Sequence, residues 1–191
     1  MAVRGRISPV IRRRTLLALV LVGASVAPHP VAGQDQTPPA AADVVAAAVT
    51  RAKAEQKAVL IEFGASWCTW CRNFEAFVQS ADAGPVLAHH FVIVNLTVHE
   101  RDDKQALEHP GGNALMDAWG GATSGLPFYV FVSDTGQKVA DSNAMPDGTN
   151  IGFPAVPDEI RAFISLMERA APALSSAERD VLSRHLARVA P

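Results

Sequence analysis

Residues 58–79 read AVLIEFGASWCTWCRNFEAFVQ, and this stretch decides the fold class of the chain. Residues 58–63 form a nearly continuous apolar run, which predicts a short strand buried on both faces of a mixed or parallel sheet. Residues 69–79 carry apolar side chains at helical spacing and predict a helix. Cys68 and Cys71 therefore lie where a buried strand meets a helix.

The rest of the sequence continues this alternation of helices and strands. The elements that it predicts are a helix capped by Asp43 and ending at about Lys57, a strand over 91–98, a short helix over 113–119, a hairpin of residues 128–132 and 137–142, a helix over 158–169, and a terminal helix after the capping box Ser175–Glu178. This order predicts an α/β sandwich with a central mixed sheet of about four strands flanked by helices, and an extra C-terminal helix.

The composition is that of one globular domain with appendages. The chain has 191 residues, of which 49% are hydrophobic and 19% are charged, and this excludes a mainly disordered or fibrous protein. Residues 1–33 contain five arginines and no acidic residue, whereas the remaining chain carries 12 basic and 19 acidic residues. We expect no nucleic-acid partner, because phosphate binding requires clustered Lys and Arg.

Residues 1–33 have the pattern of an export signal: a basic segment precedes an apolar run, and small residues at its end are suited to cleavage. The apolar run has 13 residues, whereas a membrane-spanning helix needs about 20, so a permanent anchor is the weaker alternative. We expect an exported, periplasmic or otherwise extracytoplasmic protein. The expected organisation is a signal peptide over 1–33, a linker over 34–42, a folded domain over 43–170 and a C-terminal helical extension over 171–191.

The spacing of the two cysteines predicts thiol–disulfide exchange. Cys68 is expected at the helix N-terminus, where unpaired N–H groups and the helix dipole favour a thiolate. Cys71 lies one turn further along, and we expect it to be more enclosed and to stay protonated longer. One sulfur can then attack a substrate disulfide while the other resolves the mixed disulfide.

Two structural roles for the cysteines compete with this interpretation. A stabilising disulfide is the first, but chain entropy gives so short a loop only roughly 2 kcal/mol. A zinc site is the second, but it needs four ligands, and the six histidines show no ligand-like spacing relative to the cysteines. We interpret His89, His90, His99 and His109 as surface residues in and around loops, and the charged stretch 100–104 as a solvated turn.

The segment Ile61–Arg72 resembles the active-site segment of the thioredoxin superfamily, and Gly125–Phe131 resembles the strand that follows the cis-proline of that family. The resemblance covers about residues 43–170 and is nearest to exported thioredoxin-like proteins with a WCxWC-type motif. It implies a thioredoxin-like three-layer sandwich in which Cys68 is the nucleophile and Cys71 is the resolving thiol.

Glu62 stands six residues before Cys68, where the family often has a buried acid that relays a proton to or from the second cysteine. A carboxyl group inside an apolar strand is costly to ionise, so its pKa should rise toward the range that is useful for acid–base catalysis. The alternative is a glutamate at the strand edge that points to water.

The resemblance also implies a substrate-binding groove. It places a cis peptide bond between Leu126 and Pro127, which leaves the backbone of Leu126 free to pair with an extended substrate chain and blocks metal capture by the thiols. Trp67 and Trp70 could supply an apolar surface near the sulfurs. For Trp67, packing against the core is an equal alternative.

These observations predict an exported thiol–disulfide oxidoreductase that acts on protein or small-molecule disulfides with no cofactor and no metal. Its expected partners are disulfide- or dithiol-containing proteins and a redox partner that resets the pair, such as a membrane electron carrier. A redox-silent module that binds extended peptides is one alternative, and a metallochaperone holding a soft metal such as Cu(I) is another. The dipeptide Thr69-Trp70 replaces the family's familiar Gly-Pro, which leaves the direction of electron flow open.

Overall fold

The computed structural model describes residues 37–189. The predicted signal peptide and the first part of the predicted linker lie outside the described residues. The helices and strands within this range are α1 Ala41–Glu55, β1 Ala58–Gly64, α2 Thr69–Val78, α3 Ala83–His90, β2 Phe91–Thr97, α4 Gly112–Met116, β3 Phe128–Val132, β4 Lys138–Asp141, α5 Pro157–Ala170 and α6 Ser176–Val189. None of the helices in this range combines the length and the apolar character that crossing a membrane requires.

The strands form one mixed sheet in the order β2-β1-β3-β4. β1 runs parallel to β2, with Glu62 opposite Asn95, and antiparallel to β3, with Glu62 opposite Tyr129. β1 is therefore an interior strand, and every side chain from Ala58 to Phe63 is buried, as its continuous apolar run requires. The predicted α/β sandwich with a mixed four-stranded sheet is confirmed.

Helices cover both faces of the sheet, and the alternation of side chains along β1 assigns residues to one face or the other. Val59, Ile61 and Phe63 belong to the core formed with α1. Leu60 belongs to the opposite core, which α2, α3, α5 and α6 complete with a cluster of aromatic rings. Glu62 alternates with Ile61 and Phe63, so it shares the face of Leu60 and lies beneath α2.

Three helices differ from those that the sequence predicts. α1 begins at Ala41 and is not capped by Asp43, because the Ala41 N–H donates to Pro110 O at 2.9 Å and the Ala41 side chain is fully buried. The sequence does not predict α3, whose glycine and proline disfavour a helix. The structure forms it because Asp82 caps its N-terminus and its apolar side chains pack in the core. α4 ends at Met116 and continues as a π-helical turn.

α6 opens with the predicted capping box. The Ser175 N–H donates to Glu178 Oε2 at 2.8 Å, and the Glu178 N–H donates to Ser175 Oγ at 3.3 Å. The same glutamate reaches α3, since its Oε1 lies 3.1 Å from His90 Nε2. A second pair joins the two helices, with His185 Nδ1 2.6 Å from Asp82 Oδ1. These contacts fasten the C-terminal helix to α3.

Two of the histidines interpreted as surface residues are placed differently by the structure. His90 ends α3 and is buried, because α6 covers it. His109 is partly buried, and its Nδ1 accepts a hydrogen bond from the Thr97 N–H at 3.0 Å. Burial lowers the pKa of His109 below its ordinary value.

Candidate functional site

Cys68 and Cys71 are joined by a disulfide bond in the first turn of α2. Cys68 is the N-cap residue of this helix, and its Sγ accepts a hydrogen bond from the Cys71 N–H at 3.0 Å. The N-terminal N–H groups of a helix and its dipole stabilise negative charge. A thiolate formed on Cys68 by reduction of the disulfide is therefore stabilised by the helix that begins there.

Both cysteines are almost completely covered. Cys68 exposes 4% of its surface and Cys71 exposes 7%, so the expectation that Cys71 is the more enclosed of the two is wrong. The side chain of Leu126, which comes from the loop before β3, packs against the cluster of Ala65 and the two cysteines.

The loop that carries Leu126 is held by one side chain. The Leu126–Pro127 peptide bond is cis. Asn150 Nδ2 donates to Gly125 O at 2.7 Å and to Pro127 O at 3.1 Å, so a single amide fixes the carbonyl groups on both sides of Leu126. The sequence analysis missed Asn150, because an asparagine in a loop gives no indication of a partner more than 20 residues earlier.

Glu62 supplies a buried carboxyl group beneath α2. Its side chain is 3% exposed, and its Oε1 has no hydrogen-bond partner among the described residues. Burial raises the pKa of Glu62 to about 8, and the charge of Glu75 contributes to the rise. The alternative of a glutamate at the strand edge that points to water is wrong. Glu75 is a site residue that the sequence analysis missed, since it lies on the next helix.

Gly64 leaves a space between this carboxyl group and the second cysteine. A Cβ atom at position 64 would lie 3.3 Å from Cys71 Sγ and 3.4 Å from Glu62 Oε1. Both reactive groups therefore border the same small volume. The residues also line a pocket of about 610 Å³ that extends to Glu75, which provides a path for protons between solvent and the Glu62 carboxyl group.

Two tryptophans lie next to the disulfide in sequence and keep large exposed surfaces. Trp67 is 40% exposed. Its Nε1 donates to His99 O at 2.8 Å, and the Arg101 guanidinium lies 4.0 Å from the ring centroid. Trp70 is 43% exposed and stacks on Phe153, with ring centroids 5.9 Å apart. Neither ring is packed into the core, so both expose apolar surface to solvent.

Glu100 corrects the interpretation of the stretch 100–104 as a solvated turn. Its side chain is 6% exposed, and its carboxylate accepts hydrogen bonds from the N–H of Ser66 at 2.6 Å and from the hydroxyl of Ser66 at 2.9 Å. A single acid in a charged turn is normally solvated. Only the approach of the turn to the loop before Cys68 buries this one.

Residues 40–133 match a protein family described as thioredoxin-like. This chain contains a thioredoxin-like domain. The matched residues include β1, the cysteine pair, β2 and β3, and the mixed four-stranded sheet is the one that the resemblance implies.

Several solved structures of other proteins are similar to this chain. A disulphide isomerase from Xylella fastidiosa Temecula1 is 21% identical over 77% of this chain and 88% of its own, with a TM-score of 0.44. A DsbH oxidoreductase is 19% identical over 75% of this chain and 90% of its own, with a TM-score of 0.42. The oxidised C-terminal domain of DsbD from Neisseria meningitidis is 21% identical over 56% of this chain and 84% of its own, with a TM-score of 0.39. A comparison with curated proteins gives no match.

Proposed function

We propose that this protein is an exported thiol–disulfide oxidoreductase, with Cys68 as the nucleophile and Cys71 as the resolving thiol. The observation that carries the proposal is the disulfide bond in the first turn of α2, which lies above the buried Glu62 and against Leu126. A disulfide at a helix N-terminus, beside an unpartnered buried acid, has the parts that exchange chemistry needs.

The exchange proceeds in two substitutions at sulfur. In the dithiol form, the Cys68 thiolate attacks one sulfur of a substrate disulfide, and the other substrate sulfur leaves as a thiolate. The Cys71 thiolate then attacks Cys68 Sγ, which releases the second substrate sulfur and forms the Cys68–Cys71 disulfide. Two electrons pass from the protein to the substrate, and the reverse sequence oxidises a substrate dithiol.

Glu62 handles the proton of the resolving thiol in this scheme. Cys71 must lose its proton before it attacks, and a base is most effective when its pKa lies near the working pH. Burial brings the Glu62 carboxyl group into that range, and Gly64 leaves the space between the two groups open. In the reverse direction, the protonated carboxyl group returns the proton to the Cys71 sulfur.

The surface around the disulfide supports docking of an extended polypeptide. Asn150 Nδ2 donates hydrogen bonds to the carbonyl groups of Gly125 and Pro127. Leu126 lies between these two residues, and in this proposal its backbone pairs with a substrate strand. Trp67 and Trp70 add exposed aromatic surface, which is favoured at sites of protein recognition.

Each turnover leaves the protein in the opposite redox state, so the proposal requires a second partner that restores it. A membrane electron carrier would serve a protein that is delivered outside the cytoplasm. The pattern of residues 1–33 supports export. Disulfide substrates are most abundant in such oxidising compartments.

The proposal is tested by replacing each cysteine in turn and measuring insulin reduction with dithiothreitol as the electron source. We expect Cys68→Ser to abolish turnover, because the attacking sulfur is lost. Cys71→Ser, reduced and then freed of dithiothreitol before insulin is added, should still attack and accumulate a mixed disulfide that is visible on a non-reducing gel. The double variant should form no adduct, which serves as the control. Wild-type turnover by Cys68→Ser would overturn the proposal.

The exposure of Trp67 and Trp70 also favours a second candidate, a redox-silent module that binds extended peptides. This function predicts that the double variant Cys68→Ser/Cys71→Ser binds an unfolded protein with unchanged Kd. It also predicts that the wild type has no reductase activity in the insulin assay.

A further inference from the structure

Three consecutive residues, His99 to Arg101, contact the two residues that immediately precede the nucleophile. The carbonyl oxygen of His99 accepts the indole N–H of Trp67 at 2.8 Å. The Glu100 carboxylate accepts both the N–H and the hydroxyl of Ser66. The Arg101 guanidinium covers the ring of Trp67. Residues 99–101, which follow β2, therefore bind residues 66 and 67 in the loop before Cys68.

Every polar group of Ser66 takes part in a hydrogen bond, and its hydroxyl oxygen also accepts a hydrogen bond from Lys104 Nζ at 3.3 Å. Its N–H and its hydroxyl are bound by Glu100, and its carbonyl oxygen accepts a hydrogen bond from Arg72 Nη1 at 3.0 Å. A residue held through its N–H, its side chain and its carbonyl group cannot rotate without breaking several bonds. These hydrogen bonds therefore fix the position of Ser66, two residues before Cys68.

Glu100 is itself held by a closed ring of hydrogen bonds. Its N–H donates to Glu108 Oε1 at 2.7 Å, and Glu108 Oε2 accepts from Asn113 Nδ2 at 2.8 Å. Asn113 Oδ1 accepts the N–H of His99 at 3.1 Å. Since His99 binds Trp67, the ring returns to the loop before Cys68. Networks whose members are mutually bonded favour a single conformation.

The backbone of this segment has two residues with a positive φ. His99 has a φ of 50° and Asp102 has a φ of 51°, in the left-handed region that residues other than glycine seldom occupy. Such residues persist where the surroundings over-determine them, and they are concentrated at functional sites.

We propose that Glu100 is a positioning residue that holds Cys68 in its reactive place through Ser66; the inference rests on the proposed role of Cys68 as the nucleophile. In the oxidised protein the disulfide itself restrains the first turn of α2. Reduction removes that restraint, so the bonds from Glu100 must keep Cys68 Sγ directed at the Cys71 N–H. Glu100 therefore stabilises the dithiol form more than the disulfide form.

The test compares Glu100→Ala with Asp103→Ala. Asp103 is an exposed acid on the same segment, so its removal takes away the same charge without the bonds to Ser66. The first measurement is the alkylation rate of Cys68 in the reduced protein by iodoacetamide across pH. The second is the reduction potential of the cysteine pair against glutathione. Neither measurement needs a substrate of the enzyme, so failure of the proposed function appears separately, in the insulin assay.

Loss of the Glu100 negative charge by itself would lower the pKa of the Cys68 thiol, whereas loss of the bonds that direct Cys68 Sγ at the Cys71 N–H raises it. If positioning is the larger effect, as we propose, Glu100→Ala should raise the pKa of the Cys68 thiol and lower its alkylation rate at neutral pH about tenfold, which corresponds to a pKa change of about one unit. The reduction potential should become more negative, because the dithiol loses stability. Glu100→Gln keeps one acceptor oxygen and should show an intermediate effect. Asp103→Ala should behave as the wild type.

A lower melting temperature of Glu100→Ala with an unchanged alkylation profile and potential would overturn the proposal, since it would show a purely structural role. A fall in the pKa of the Cys68 thiol in Glu100→Ala would also overturn it, because that is the direction that loss of a negative charge alone produces. If Glu100→Ala does not fold, Ser66→Ala decides the matter. Of the two bonds to Glu100, this variant removes only the one from the Ser66 hydroxyl and keeps the one from the Ser66 N–H. It should shift the alkylation profile and the reduction potential in the same direction as Glu100→Ala, but by a smaller amount. Wild-type values of both would reject the inference.

Discussion

Glu62 Oε1 and Cys71 Sγ both lie within 3.4 Å of the point that a Cβ atom of residue 64 would occupy. The carboxyl group comes from the sheet and the sulfur from the helix above it. A glycine at position 64 is what leaves the space between them unobstructed. This arrangement joins the acid to the thiol and leads to the first two predictions.

Gly64→Ala should slow disulfide exchange by roughly tenfold, because the added methyl group intrudes between the acid and the thiol. Its Cβ would lie 3.3 Å from Cys71 Sγ, which is tighter than ordinary van der Waals contact, and 3.4 Å from Glu62 Oε1. The measurement is insulin reduction by the single variants Gly64→Ala and Glu62→Gln and by the double variant. The double variant should lose no more activity than Glu62→Gln alone, since both act on one proton transfer. Additive losses would contradict this explanation.

Glu62→Gln should remove a pH dependence of stability in the oxidised protein. The pKa of Glu62 is about 8 in the folded protein against 4.5 for an ordinary glutamate, so the unfolded chain releases this proton first. The wild type should therefore lose stability as the pH rises from 4.5 to 8, by about 1.4 kcal/mol per pH unit. Urea unfolding at several pH values measures the effect. Parallel profiles of variant and wild type in this window would be inconsistent with the assignment.

Glu75→Gln should lower the pKa of Glu62, because the charge of Glu75 opposes ionisation of the buried carboxyl group. Burial is the larger cause, so the pKa should stay above 4.5. In the urea profiles the loss of stability should begin near pH 4.5 in both proteins, but it should end at a lower pH in Glu75→Gln than in the wild type. Asp103→Asn, which removes an exposed acid elsewhere, should leave the profile unchanged. A profile of Glu75→Gln that matches the wild type would exclude the coupling.

Trp70→Ala should raise KM for a peptide disulfide about fivefold, the equivalent of about 1 kcal/mol of aromatic contact, and leave kcat nearly unchanged. The ring is exposed and rests on Phe153, so it can contact a substrate without touching the reacting sulfurs. Val189→Ala truncates an exposed apolar side chain on α6 and is the matched control. A fall in kcat with constant KM would show that Trp70 does not act in docking.

Glu178→Gln should destabilise the C-terminal helix at neutral pH but not in acid. Hydrogen bonds from the hydroxyl and the N–H of Ser175 lower the pKa of Glu178 to about 2, and His90 contributes. The stabilisation is therefore complete above pH 4.5 and disappears as the pH falls toward 2. Melting temperatures should differ by a few degrees at pH 6 and converge in acid. Asp180→Asn, which changes an exposed acid on the same helix, should show no such convergence.

The predicted fold was reliable where local patterns were strong. The apolar run of β1, the capping box at Ser175 and the hairpin between β3 and β4 all lie in the structure where periodicity and turn residues place them. α3 was not predicted from the sequence, because its eight residues contain glycine and proline, which disfavour a helix. The helix forms because Asp82 caps it and because its apolar side chains are buried in the core that includes α6.

The candidate site residues named from the sequence come mainly from one contiguous stretch. Cys68, Cys71, Trp67 and Trp70 form one motif, and Glu62 lies on the strand before it. Leu126 and Pro127 were named only because of the resemblance to the thioredoxin superfamily. Glu75, Glu100 and Asn150 were missed as site residues, since each reaches the site from another element. A charged side chain in a turn and a lone asparagine in a loop are ordinary surface residues unless folding brings a partner to them.

The amino-acid sequence by itself determined the strand and helix on either side of the cysteine pair, because alternation, apolar runs and caps are properties of neighbouring residues. Only the tertiary structure decided which groups surround that pair. It buried Glu62 with no hydrogen-bond partner for Oε1 among the residues that the structure describes. It brought Glu100 to Ser66 across 34 residues and packed Leu126 against the two cysteines. Burial and long-range hydrogen bonds arise when separate elements pack together, and they set the charge and the geometry on which the chemistry of the two sulfurs depends.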